Sequence, residues 1–214
     1  MAGTITALEA QKHSAERVNV YLEGEFAFGL AVIHAVNLRP GMWLSDEDIA
    51  TLRTADEVER ARERALDYLS YRPRSVAEVQ RYLLERDFSA SAVEDVLQGL
   101  QRVGLVDDVV FAQYWRDNRE QFRPRGKPAL VQELQQKGLQ SADIQAALAD
   151  YDEMTAARRV AEEQGRRLKH LPPEVFKRRL IQRMARRGFA YDLIQEVLAT
   201  VPFLQSNSEE SEEL

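Results

Sequence analysis

The sequence repeats one apolar pattern three times, and this repeat constrains the fold more than any other feature. The second copy follows the first at a shift of 51 residues, and the third follows at a further 50. The matched positions are Val79, Leu83, Phe88, Val93, Leu97 and Leu100, then Leu130, Leu134, Leu139, Ile144, Leu148 and Tyr151, then Leu180, Met184, Phe189, Ile194, Leu198 and Val201. Their spacing predicts two amphipathic helices per copy. Each copy leaves an apolar face for its neighbour to cover, which predicts an array of repeats.

Each copy also begins with a further helical stretch, so that three helices are expected in each unit. These stretches lie around Leu66–Leu69, Phe111–Trp115 and Ala157–Val160. Proline-containing segments follow them: "YRPRS" at 71–75, "FRPRG" at 122–126 and "LPPEV" at 171–175. Proline fixes φ and moves its predecessor out of the α region, so these segments are predicted to be joints between the first and second helix.

Further short signals mark helix ends in the repeats. Ser75 with Glu78 has the spacing of a capping box, in which two side chains bond the backbone at a helix start. Gly138 and Gly188 stand where a left-handed residue would end the middle helix of the second and third copies. The first copy has Asp87 there, and Asp tolerates this conformation better than most residues. We therefore expect a positive φ at Asp87.

The chain before the repeats reads differently. Apolar residues alternate in "RVNVYLEGEFAFGL" around Glu23-Gly24-Glu25, which predicts a β-hairpin, and "ITALEAQ" predicts a third strand. Ser45 with Asp48, and Thr54 with Glu57, fit the capping-box spacing and predict helix starts. The C-terminal "QSNSEESEEL" is polar and acidic, which is typical of disorder.

Charge is distributed unevenly along the chain. The net charge is −6, yet residues 154–204 carry 11 basic and 5 acidic groups, a net +6. The absence of cysteine excludes disulfides and thiolate metal sites and favours a reducing cytoplasm. The N-terminus has no signal-peptide pattern, and the longest apolar run, 26–38, is too short to span a bilayer.

The arginines around the prolines need a separate explanation, because positive charge at a helix N-terminus opposes the helix dipole. One interpretation is a solvated basic turn. The other is an anionic partner, either acidic protein surface or phosphate backbone. The third copy lacks these arginines but carries a strongly basic segment, "FKRRLIQRMARRG". The candidate partner-binding residues are Arg72, Arg74, Arg123, Arg125, Lys127, Lys177, Arg178, Arg179, Arg183, Arg186 and Arg187.

Residues that could carry catalysis form no recognisable set. The three histidines, His13, His34 and His170, have no metal-binding spacing. Asp107-Asp108 resembles a carboxylate pair but fits an N-cap followed by a first-turn acid better. Tyr114-Trp115 could stack on single-stranded DNA, although its helical spacing from Phe111 favours the core. We expect no catalytic residue, metal or cofactor.

Several motifs in order resemble the RecX family, regulators of the RecA recombinase. They are "ALDYLSYRPRSVAEVQRYLLERDF", "VLQGLQRVGLVDDVVFAQYW" and "RGKPALVQELQQKGL", with "ITALEAQKHSAERVNVYLEGEFAFGL" similar to the N-terminal extension of some members. The resemblance implies a protein, not itself an enzyme, that lies along the RecA–DNA filament. It would restrain filament growth, strand exchange and ATP hydrolysis in recombination, DNA repair and the SOS response.

The sequence and the resemblance together predict a mainly α fold, with three stacked three-helix repeats in an elongated array after a small antiparallel β segment. The expected domains are 1–54, 55–106, 107–153, 154–204 and an acidic tail, 205–214. We expect a cytoplasmic monomer that binds the RecA filament, with single-stranded DNA through or beside RecA, and no membrane. Two alternatives stay open: a direct DNA-binding protein with helix-turn-helix-like repeats, and a purely structural scaffold.

Overall fold

A computed structural model of the chain describes residues 1–12 and 14–200. The strands are β1 (Gly3–Gln11), β2 (Ser14–Leu22), β3 (Glu25–Ala31) and β4 (Trp43–Leu44). The helices are α1 (Val32–Ala35), α2 (Asp46–Ser70), α3 (Val76–Leu84), α4 (Ala90–Arg102), α5 (Asp108–Phe122), α6 (Lys127–Gln136), α7 (Ser141–Ala147), α8 (Glu153–Leu168), α9 (Pro173–Arg186) and α10 (Tyr191–Thr200). No strand follows Leu44 in the described chain, which confirms the mainly helical fold with a small N-terminal sheet. The predicted acidic tail and Val201 lie outside the described residues.

The N-terminal sheet is antiparallel, with strand order β3-β2-β1-β4. The predicted hairpin is β2–β3, in which Val20 pairs with Phe28 and Val18 with Leu30. Its turn contains Glu23 and Gly24, both with positive φ. The third predicted strand is β1, whereas β4 was not predicted because two residues show no periodicity. Alternation buries one face of the sheet in a core made of Ile5, Val20, Leu22, Phe28, Leu30, Leu44 and Ile49.

Helix α2 begins at one of the two predicted capping boxes and runs through the other. The Ser45 hydroxyl accepts a hydrogen bond from the Asp48 N–H at 3.0 Å, and the Asp48 carboxylate accepts one from the Ser45 N–H at 2.9 Å. The predicted start at Thr54 is wrong. Thr54 lies inside α2, and its hydroxyl donates to the Ala50 carbonyl at 3.0 Å, because a helical threonine can bond the carbonyl one turn earlier.

A buried carboxylate joins the sheet to α2. Asp56 is only 6% exposed. It accepts hydrogen bonds from the Arg17 guanidinium of β2 at 2.8 Å and from the Ala31 N–H of β3 at 2.8 Å. A buried charge requires such partners, since an unpaired one would be strongly destabilising. The sheet and α2 are thereby held in one arrangement.

The chain divides into two compact units. The first contains Met1–Arg72 and Val79–Leu105, and the second contains Pro73–Glu78 and, among the described residues, 106–200. In the second unit α5, α6 and α7 pack together, as do α8, α9 and α10. Within the described chain every position of the apolar repeat is buried except Phe88 and Leu198, which are half-buried. The finer division into domains ending at 54, 106, 153 and 204 stays a prediction.

The middle helices of the three repeats, α3, α6 and α9, are followed by left-handed residues. The φ angles are 62° at Asp87, 87° at Gly138 and 86° at Gly188. The predicted positive φ at Asp87 is therefore confirmed. The residue preceding each glycine is the helix C-cap, and its N–H bonds to carbonyls in the last turn of the helix.

Replacing Asp87 by glycine is expected to stabilise the protein by about 0.5–1 kcal/mol, because glycine adopts positive φ without the Cβ clash of other residues. Urea unfolding of the parent and of Asp87→Gly measures the difference. Glu94→Gly, at an exposed helical position of α4, is the matched control and should instead destabilise by about 1 kcal/mol. A midpoint for Asp87→Gly equal to or below that of the parent would contradict the argument.

Candidate interaction surface at the helix joints

The three proline segments lie where the sequence predicted them, between the first and second helix of each repeat. The first separates α2 from α3, the second α5 from α6, and the third α8 from α9. The capping box at the first joint is confirmed: the Ser75 hydroxyl accepts from the Glu78 N–H at 3.1 Å, and the Glu78 carboxylate accepts from the Ser75 N–H at 3.4 Å.

Two of these joints contact the C-terminal end of a later middle helix, within the second unit. The Ser75 hydroxyl donates to the carbonyl of Lys137, the C-cap of α6, at 2.7 Å. The Gly126 N–H donates to the carbonyl of Arg187, the C-cap of α9, at 3.0 Å. Carbonyls at helix ends have no partner inside the helix. The same joint contact is thus made twice, at corresponding positions of the repeat.

Glycine is required at these contacts by proximity as well as by φ. A Cβ on Gly138 would overlap the methyl group of Ala77, and one on Gly188 would overlap that of Ala129. A Cβ on Gly126 would collide with the backbone of Gly188. The two glycines that the sequence marked as helix ends, Gly138 and Gly188, therefore also leave room for a neighbouring alanine that any side chain would displace.

The contact at Arg187 supplies an internal reason for one of the joint arginines. Arg125 lies 3.3 Å from the carboxylate of Glu133 and donates to the carbonyl of Arg186 at 3.5 Å. The C-terminus of α9 is the negative end of its dipole, so a cation beside it is stabilised. Arg125 therefore has partners inside the protein, and this gives a reason for an arginine at the joint beside the two interpretations that the sequence left open.

Glu133 is the centre of a network that the sequence did not reveal. Its carboxylate accepts from the Trp115 Nε1–H at 2.8 Å and from the Arg119 Nε–H at 2.7 Å. The Arg119 guanidinium also lies over the Trp115 ring, 4.5 Å from its centroid. Trp115 packs against the core, as the preferred interpretation predicted. It is therefore not a stacking platform for DNA.

The remaining predicted cations differ in exposure. Those exposed to solvent are Arg123, Lys127, Lys177, Arg178, Arg179 and Arg186. Those half-buried are Arg72, Arg74, Arg125, Arg183 and Arg187. Arg183 donates to the side chain of Gln164 at 2.8 Å and so joins α9 to α8. The half-buried cations, such as Arg183, thus contact other parts of the protein, whereas the exposed ones face solvent.

Arginines from two repeats meet around Arg187. Burial lowers the pKa of its guanidinium, the Glu163 carboxylate opposes this, and the nearby charges of Arg123, Arg125 and Arg167 lower the pKa further. We call Arg123, Arg125, Arg167 and Arg187 the arginine cluster. One guanidinium nitrogen of Arg187 is buried without a hydrogen-bond partner. A cluster of like charges of this kind attracts anions.

The carboxylates that resembled a metal pair have structural roles. Asp107 is the N-cap of α5 and accepts from the N–H groups of Val109 and Val110 at 2.8 and 2.9 Å, as predicted. Asp108 accepts from the Val76 N–H at 2.9 Å. In the described chain no group of three or more His, Asp or Glu side chains could hold a metal ion. His34 is half-buried and His170 exposed, whereas His13 is not among the described residues.

Fold and joint geometry together define a tandem three-helix-repeat protein with a basic surface on its second unit. Family models match most of the chain: the regulatory protein RecX N-terminal domain at 3–45, and the first, second and third three-helix domains of RecX at 61–100, 107–148 and 150–198. The chain belongs to the RecX family. None of the described helices is long and apolar enough to cross a membrane.

Individual relatives agree with this assignment. The regulatory protein RecX of Bacillus licheniformis is 33% identical over 98% of this chain and 82% of its own length. That of Bacillus subtilis is 29% identical over 98% and 81%. A crystal structure of regulatory protein RecX matches with a TM-score of 0.75 and 29% identity, over 93% of this chain and 100% of the other. RecX from Lactobacillus salivarius, at 22% identity, shares the fold with a TM-score of 0.63 over 71% and 99%.

Gly188→Ala is expected to destabilise more than Gly104→Ala, by at least about 1 kcal/mol, because overpacking adds to the conformational cost. Both glycines have positive φ, but a Cβ on Gly104 would meet nothing within 4 Å. Urea unfolding of the two variants isolates the cost of the close approach. If both variants lost the same free energy of unfolding, the residues around Ala129 would be able to make room for the added methyl group at no cost.

Asp108→Asn is expected to gain stability relative to the parent as pH rises from about 4 to 7. Burial raises the pKa of Asp108, and the charges of Asp143, Asp107 and Glu78 raise it further, against the lowering effect of the Val76 hydrogen bond. The unfolded chain then ionises first, so the parent loses stability as pH passes through the folded pKa. Unfolding midpoints across this range measure the effect. If the difference between the midpoints of the parent and Asp108→Asn stayed constant with pH, the pKa of Asp108 would be the same in the folded and unfolded chains.

Proposed function

We propose that this protein binds the RecA–DNA filament and modulates, mainly by inhibition, filament growth, strand exchange and ATP hydrolysis in recombination and DNA repair. Membership of the RecX family supports a regulatory role, since the curated relatives are named regulatory proteins. The observation that carries the mode of binding is the contact of the second joint with the C-terminus of α9, through the Gly126–Arg187 and Arg125–Arg186 hydrogen bonds, because it brings the positive charge of the joint beside that of the third repeat. The protein acts in the cytoplasm as a monomer, without a cofactor and without catalysis of its own.

We propose that the exposed cations determine how fast the protein associates with the filament. Lys177, Arg178 and Arg179 lie exposed on α9, and Arg123 and Lys127 lie exposed at the second joint. A filament of DNA and protein offers phosphates and acidic side chains. Each exposed charge contributes about 0–1 kcal/mol. Together such charges govern the association rate and its dependence on salt.

The half-buried arginines have a second role in this proposal. Arg125 is held by Glu133 and the carbonyl of Arg186, and Arg183 by Gln164. Removing these side chains would disturb packing as well as charge. Arg72, Arg74 and Arg187 stay among the proposed contacts. A test of binding therefore begins with the exposed residues, where loss of charge and loss of fold are separable.

Direct binding to DNA is a second candidate, favoured by the net charge of +6 over residues 154–204. Phosphate neutralisation provides most of the non-specific affinity of DNA-binding proteins. The net charge of the whole chain is −6, which weakens autonomous binding by long-range repulsion. Both candidates use the same basic surface, but only the first requires RecA.

Changing Lys177, Arg178 and Arg179 together to alanine is expected to weaken suppression of RecA ATPase on single-stranded DNA and to flatten its salt dependence. Three rim charges of about 0–1 kcal/mol each correspond to a loss of up to about a hundred-fold in affinity. ATP hydrolysis by RecA, measured against protein concentration at several salt concentrations, gives both quantities.

The matched control removes three exposed arginines outside the proposed surface, Arg64, Arg81 and Arg102. It changes net charge by the same amount and should leave suppression close to that of the parent. Equal suppression by parent and α9 variant at every salt concentration would remove α9 from the contact surface. A parent protein that leaves RecA ATPase unchanged would refute the proposed function itself.

A further inference from the structure

Phe122 is a large aromatic side chain that the fold does not use. It is the last residue of α5, in the "FRPRG" segment, and it is 72% exposed. Trp115, two turns earlier on the same helix, packs against the core and bonds Glu133. The core is therefore closed without Phe122. An exposed aromatic ring beside a functional surface is a common anchor for a partner.

The surroundings of Phe122 are rich in arginine. Arg159 of α8 donates to the carbonyls of Glu120 and Gln121, at 2.8 Å each, so its guanidinium lies at the same helix end as Phe122. Arg123 is the next residue along the chain and is exposed. Arg125 and Arg187 continue the positive charge through the arginine cluster.

The acidic groups of this region only partly offset that charge. Glu163 is paired with Arg167 at 2.8 Å. Burial raises the pKa of Tyr151, and the nearby charges of Glu120, Glu153 and Asp152 raise it further, while that of Arg116 lowers it. Of these carboxylates, Glu120 is exposed to solvent. Arg123 and Arg159 have no carboxylate partner within ion-pair distance in the described chain. The chemistry around Phe122 is that of an aromatic face edged by phosphate-binding groups.

We propose that Phe122, with Arg123, Arg159 and the arginine cluster, forms a stacking site for an unpaired base of single-stranded nucleic acid. The ring stacks on the base, and the arginines neutralise the flanking phosphates. Bases inside a duplex are already stacked on one another, so an aromatic ring on a protein surface stacks on an unpaired base without the cost of separating a base step. The inference rests on the proposed function, because it makes nucleic acid a direct partner of the same surface.

The test compares two short oligonucleotides with equal numbers of phosphates, labelled oligo(dT) and an abasic strand of the same length. The full chain is titrated with each at low salt, for the parent and for Phe122→Ala. The variant is expected to bind oligo(dT) at least about five-fold more weakly than the parent and to bind the abasic strand equally well. Unfolding midpoints of parent and variant should agree, since Phe122 is exposed.

Phe26→Ala is the matched control. Phe26 is also a phenylalanine and is 60% exposed, but it lies on β3 beside Glu25, in the acidic N-terminal segment. Its replacement should change neither affinity. Phe122→Trp gives an independent signal, because the new indole should be quenched by oligo(dT) and not by the abasic strand.

Two results would overturn the inference. The first is equal binding of oligo(dT) by the parent and Phe122→Ala; if that variant nevertheless loses suppression of RecA ATPase, Phe122 contacts protein instead. The second is a parent that binds neither strand at low salt. Neither result removes the filament proposal, which fails only if the parent leaves RecA ATPase unchanged.

Discussion

The second unit depends on one kind of contact, which it makes twice. A hydroxyl or N–H group at the start of one middle helix donates a hydrogen bond to the carbonyl at the end of a later middle helix. Ser75 makes this contact with Lys137, and Gly126 makes it with Arg187. The bond satisfies a carbonyl that the helix itself leaves unpaired. It also places the positive end of one helix dipole at the negative end of another. The left-handed glycine after each carbonyl, Gly138 or Gly188, has no side chain and so leaves room for the start of the other helix. The proline that ends the preceding helix, the residue at the helix start and this glycine therefore all contribute to the same contact.

This contact changes the interpretation of the joint arginines. In the sequence alone, arginine beside a helix start opposes the helix dipole, which left a solvated turn or an external anion as its explanation. In the structure the end of a second helix lies at the same place, and Arg125 interacts with its Arg186 carbonyl and with Glu133. The cations divide accordingly into those neutralised within the protein and those, such as Arg123, that remain exposed. Only the exposed group is available without cost to a partner.

The sequence predicted what local rules determine. Periodicity, proline, the Ser75 cap and the left-handed Asp87 each depend on neighbours within a few residues, and each was predicted correctly. The failures are non-local or coincidental. Asp56 meets Arg17, 39 residues away, and nothing near either residue indicates the pair. Thr54 has the spacing of a cap, yet α2 runs unbroken from Asp46 to Ser70 and the Thr54 hydroxyl bonds the Ala50 carbonyl instead. The arginine cluster likewise depends on which helix ends meet.

Helix α5 shows why residue type alone did not locate the candidate surface. Trp115 and Phe122 are both aromatic, and both lie near arginine. Trp115 packs against the core and donates a hydrogen bond to Glu133, whereas Phe122 is exposed. Their roles are set by the partner that each side chain finds after the repeats have packed. Arginine can serve in either role, because its planar guanidinium contacts several groups at once: Arg125 forms an ion pair with Glu133 and donates a hydrogen bond to the Arg186 carbonyl. Lysine, with a single ammonium group, would keep the charge at such a joint without fixing its geometry.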